Sequence, residues 1–145
     1  MNEWEQAFGR KMEAIREQSF VYFDRLADEV IEPAFRRVAD FVAKWNFQTS
    51  MNRSNEGQRS FKFALNENDY LLVLFRFEGV DTVESDYECC VGGKGRIAGQ
   101  RTGSGLRNAD QQWAESCFQS ALDNFVGMLA KGAEVGQEMA EAAVS

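Results

Sequence analysis

The stretch MNEWEQAFGRKMEAIREQSFVYFDRLADEVIEPAFRRVADFVAKW, Met1–Trp45, holds the clearest pattern in the chain. Large residues recur at Trp4, Phe8, Met12, Ile15, Tyr22, Leu26, Val30, Ala34, Val38, Phe41 and Trp45, three or four apart, with Ser19 in the one gap. That spacing returns side chains to one face of a helix. A second apolar set, Phe20, Phe23, Ala27, Ile31, Phe35 and Val42, widens the stripe from the middle onward. The part after about Phe20 is therefore expected to build a core, and the part before it to need only a narrow contact.

Helical throughout, the stretch would run roughly 60–65 Å at ~1.5 Å per residue. A globule of 145 residues has a radius of gyration of only about 15 Å. Pro33 lacks the backbone donor and crowds the preceding turn, so a kink or restart is expected near Glu32. What still overhangs carries Trp4, Phe8, Met12 and Ile15, a candidate partner-binding stripe, because exposed apolar patches of this kind mark association surfaces.

After Trp45 the period changes from about 3.6 to 2. Asn46 to Asn52 reads as a strand with Phe47, Thr49 and Met51 on one face, and Phe61, Phe63 and Leu65 alternate after a turn at Arg53–Gly57. A second turn, Asn66–Asp69, leads to Tyr70–Glu78, the most hydrophobic strand, and Gly79–Asp81 leads to Thr82–Val91. Connections this short imply an antiparallel meander. A fifth strand at Arg96–Arg101 lies within a segment that holds half of the chain's twelve glycines. Asn108, with Gln111 three residues on, reads as the N-cap of a second helix whose apolar positions are Trp113, Cys117, Phe118, Ala121, Leu122, Phe125 and Leu129.

The expected fold is α+β: a long N-terminal helix, a four- or five-stranded antiparallel meander and a C-terminal helix, with both helices on one sheet face. Residues 1–132 form a single domain in this reading, and 133–145 a frayed helix or disordered tail. The other sheet face, bearing Lys62, Arg76, Glu84, Asp86 and Glu88, is left to solvent or a second subunit, with Arg59 also available to pair with the strand carboxylates.

The chain has no histidine, which removes Ser-His and Cys-His nucleophile pairs, the usual transition-metal ligand and the commonest general base. No catalytic motif, metal-ligand spacing or cofactor fingerprint is present, so no catalytic residue, metal or cofactor is assigned. A net charge of −7 argues against nucleic acid and anionic lipid as partners. No apolar run reaches the length of a membrane span, and no basic segment precedes an apolar core at the start, so a cytoplasmic protein is expected. Three cysteines, two of them adjacent at Cys89 and Cys90, form no disulfide framework. On a strand these neighbours point to opposite faces.

Two further groups are candidates. Lys94, Arg96, Arg101 and Arg107 lie in the glycine-rich segment with no acidic residue among them, a pattern suited to an anion. Tyr70, Arg76, Tyr87 and Cys89 are the polar groups available to a cavity between helices and sheet. The leading expectation is a non-enzymatic binding or assembly protein that dimerises through the N-terminal helix. The alternative is a small-ligand-binding, or cofactor-free catalytic, domain built around such a cavity.

Overall fold

The computed structural model describes residues 2–53 and 57–144, with the backbone alone from 133 onward. Helix α1 (Glu3–Leu26) begins at Asn2, whose side chain accepts the Glu5 N–H at 2.8 Å, and Glu3 and Glu5 complement the positive end of the dipole. The expected restart is present as one π-helical turn, Ala27–Ile31, in which the Glu32 N–H bonds back to the Ala27 carbonyl. The wider turn accommodates Pro33, which would otherwise crowd the carbonyl four residues before it. Helix α2 (Glu32–Val42) follows, then a 3-10 turn, Ala43–Trp45, which Asn46 ends in the left-handed region at φ 65°.

The sheet comprises β1 (Gln48–Asn52), β2 (Gln58–Ala64), β3 (Tyr70–Glu78), β4 (Thr82–Cys90), β5 (Arg96–Ala98) and β6 (Thr102–Gly105). The first five lie side by side in chain order, all pairs antiparallel, and the sheet is open. The expected fifth strand is divided. Glu88–Cys90 pairs with Arg96–Ala98, while Thr82–Ser85 pairs with Thr102–Gly105. Between them Asp86 and Tyr87 face three residues, Gly99, Gln100 and Arg101, so β5 and β6 form one edge interrupted by a bulge. Of the turn expected at Arg53–Gly57, Ser54–Glu56 lie outside the described residues.

Helix α3 (Gln111–Val144) starts at Asp110 rather than Asn108: the Asp110 carboxylate accepts the Trp113 N–H at 2.8 Å, whereas Asn108 belongs to the preceding turn, bonded to the Gly105 carbonyl. Burial of Leu106 and Ala109 holds that turn against the domain and delays the helix. The backbone of residues 133–144 continues α3.

Both helices cover one sheet face. Phe118 of α3 meets Phe61, Phe63 and Phe75 at centroid distances of 5.2–5.9 Å. Phe35 of α2 meets Phe61, Phe63 and Phe118. Fully buried Phe23, Ile31, Leu71, Val73, Val83 and Phe125 complete the core. Among the described residues no helix covers the opposite face. Arg76 pairs there with Asp86 at 2.7 Å, Arg96 with Glu88 at 3.4 Å and Arg101 with Glu84 at 3.7 Å.

Candidate interaction surface

Helix α1 reaches the domain late. Among the described residues its clear anchors begin at Ser19, whose hydroxyl donates to the Val80 carbonyl at 2.5 Å, and Phe20, whose ring lies 5.0 Å from that of Phe77. Gly57 admits the Phe20 ring, since a Cβ there would stand 2.6 Å from it. Ile15 opens onto a recess of about 560 Å³ shared with Tyr22, Val80 and Leu106. Toward the amino end Trp4 stacks on Phe8 at 5.2 Å, and both rings stay open to solvent. Trp4 is 69%, Phe8 51%, Met12 38% and Ile15 44% exposed. The four residues share one helix face and form a continuous apolar stripe.

A second apolar surface lies between α2 and α3. It is a half-open groove of about 690 Å³, walled by Val38, Phe41, Trp45, Leu122 and Val126, with Phe47 and Leu65 contributed from the ends of the sheet strands. Phe41 and Trp45 are more than half exposed, and Val126 nearly so. Arg37 and Glu115 pair across one end of it at 3.3 Å. Near the other end the Lys44 ammonium sits 5.1 Å from the Phe41 ring centroid. Helical periodicity marked Leu122, Phe41 and Trp45 as apolar and assigned them to the core; Leu122 is buried there, whereas Phe41 and Trp45 are not. Their exposure depends on how far apart α2 and α3 stand, which no local pattern reports.

The four basic residues of the glycine-rich segment do not converge. Arg96 donates to Tyr70 and pairs with Glu88, and Arg101 sits against Glu84 and Asp86, so β4 carboxylates already neutralise both. Lys94 follows the carboxyl end of β4, beside Gly92 and Met128, whereas Arg107 lies with Val80 and Asp81 at the opposite end of that strand. Nor do the four candidate cavity residues share a space. Tyr70 and Arg76 occupy the open sheet face, where Tyr70 carries Lys62 at 4.7 Å over its ring. Tyr87 and Cys89 belong to the helix-covered face, and Tyr87 accepts a hydrogen bond from Asn124 of α3 at 3.0 Å.

Arg59 faces the helices, not the β4 carboxylates. It is 7% exposed and donates to Asp28 at 3.0 Å and Glu32 at 2.5 Å; Arg53 reaches Glu32 from outside at 2.7 Å. Position explains this, because Arg59 precedes Phe61 by two and so shares its face. The adjacent cysteines do point to opposite faces. Burial pushes the Cys89 thiol up, and Cys117, beside Ser85, up to about 11, values that suit inert structural thiols. Among the described residues no His, Cys, Asp or Glu cluster is arranged to hold a metal ion, and no helix is long and apolar enough to cross a membrane.

No family model, curated protein or solved structure matches this chain.

Proposed function

We propose that this is a non-enzymatic binding and assembly protein that forms a homodimer through the amino-terminal half of α1. One observation carries the reading: Trp4, Phe8, Met12 and Ile15 keep between about four and seven tenths of their surface exposed on a helix that continues past its own domain. At 150–250 Å² per large side chain, the stripe presents on the order of 400 Å² of apolar surface. Two such stripes, at ~25 cal/mol per Å², represent roughly 20 kcal/mol gross. Association costs about 4–15 kcal/mol in lost freedom, so burying both stripes would sustain a dimer. The three unpaired thiols suit the reducing cytoplasm.

Light scattering on the full chain at micromolar concentration tests the reading. The expected mass is that of two chains, falling to one in Phe8→Glu. A one-chain mass for the unmodified protein would sink it.

The groove of about 690 Å³ favours a second reading. Its size and apolar walls fall within the range of small-molecule sites, so a ligand-binding or cofactor-free catalytic role would centre on Phe41, Trp45 and Val126. Saturable, one-to-one enhancement of anilinonaphthalene sulfonate fluorescence, abolished by Val126→Glu, is its expected signature. Dye fluorescence unaffected by that substitution would remove this reading.

A further inference from the structure

We infer that the α2–α3 groove receives α1 of a second copy, running antiparallel to α2 and α3, so that two chains exchange their amino-terminal helices about a two-fold axis. The inference rests on the reading of the α1 stripe as an association surface, and adds where that stripe goes.

The first support is the placement of the two surfaces. Helices α2 and α3 ascend together: Phe35 lies against Phe118, and Phe47, just beyond α2, against Phe125. Helix α1 therefore leaves the domain at the end where α3 begins, beside Leu106 and Asn108. The groove extends toward the other end, past Trp45 to Leu129. Two copies set antiparallel and offset by the overhang lay each α1 along the other's body. The arrangement closes on itself, whereas a parallel head-to-tail contact would propagate as a filament.

Lengths agree. At ~1.5 Å per residue, Trp4 to Ile15 covers about 17 Å, and the α3 wall from Glu115 to Leu129 about 21 Å. Area agrees as well. Each copy would contribute one stripe of roughly 400 Å² and a facing groove of similar extent, close to the ~800 Å² per partner of a standard specific interface.

Charge order selects the direction. Glu5 flanks the stripe near its start, and Lys11 and Arg16 flank it toward its end, by helical position. The groove has the Arg37–Glu115 pair at one end, Asp123 further along α3 and Lys44 beside Trp45 at the other. Antiparallel insertion sets Glu5 near Lys44, and Lys11 and Arg16 near Asp123 and Glu115. Parallel insertion would bring the basic pair toward Lys44, a like-charge approach, and Glu5 to an end where Glu115 is already paired with Arg37.

The test uses the full chain, with light scattering for mass and circular dichroism to confirm unchanged folding. Val126 is nearly half exposed, so Val126→Glu is expected to fold. It should weaken dimerisation about a hundredfold or more by setting a carboxylate against the inserted stripe. Phe8→Glu should do the same. If Phe8→Glu dissociates the dimer and Val126→Glu does not, association through α1 stands and the groove assignment is overturned. If the unmodified chain is a monomer, both fall. As a second measure, Lys11→Glu with Arg16→Glu should weaken the dimer, and adding Asp123→Lys should restore part of the loss at low salt. Failure of that restoration overturns the antiparallel exchange.

Discussion

The Arg59 guanidinium on β2 donates to the Glu32 carboxylate at the start of α2 at 2.5 Å, and both side chains are less than a tenth exposed. This pair joins the sheet to the helix immediately after its π-helical turn. Burying two charges is tolerable only when each is fully partnered, and the cost appears when one partner is removed.

Arg59→Met should therefore destabilise the protein by about 3 kcal/mol, the lower end of the range for breaking a buried pair, because Arg53 still donates to Glu32. Arg59→Met with Glu32→Gln should cost less than Arg59→Met alone. Urea denaturation measures both, and a loss below about 1 kcal/mol for the single change would show the pair to be unimportant.

The bulge between β5 and β6 makes a different prediction. Gly99 lies under the Tyr87 ring, where a Cβ would stand 2.0 Å from Tyr87 Cε2, and Tyr87 is tethered through its hydroxyl to Asn124. Gly99→Ala must displace that ring and break the tether, at about 1–3 kcal/mol. In a Tyr87→Ala background the same substitution should be nearly free. Additive effects in that double-mutant cycle would contradict the contact.

Alkaline pH should weaken the fold through Cys117. Burial raises its folded-state pKa from 9.0 to about 11. The neutral thiol is thus favoured in the native state, and the contribution is complete below about pH 9. Above that the unfolded state loses its proton while the native state keeps it, so stability falls with pH until about 11. Cys117→Ala should flatten this part of the pH–stability profile relative to the parent. An unchanged slope would mean other groups dominate.

Tryptophan emission offers a check on assembly. Trp4 and Trp45 are 69% and 58% exposed in the single chain, whereas Trp113 packs on Phe75. Helix exchange would cover both exposed indoles, so emission should shift to longer wavelength on dilution, and Trp45→Phe should reduce the shift. A two-chain mass accompanied by concentration-independent emission would rule out burial of either ring.

Much of the architecture was legible because it rests on local period. The three-to-four spacing from Trp4 to Trp45 and the alternation in Tyr70–Glu78 and Thr82–Val91 each reflect one helix face or one strand face meeting apolar neighbours. The break before Pro33 followed from a missing donor. Arg59 was misassigned although its parity with Phe61 was readable, because an arginine on a core face has meaning only when a carboxylate such as Glu32 stands opposite it.

The candidate site divides along the same line. Sequence by itself determined the long helical stretch within Met1–Trp45 and its overhang, the stripe Trp4–Phe8–Met12–Ile15, the meander and the placement of both helices on one sheet face, since each follows from residue spacing, length and short connections. Only the tertiary structure decided that the anchors of α1 begin at Ser19 and Phe20, that Phe41, Trp45 and Val126 border a groove, and that Lys94, Arg96, Arg101 and Arg107 disperse. These depend on distances between elements remote in the chain, set by how Phe35, Phe61 and Phe118 pack.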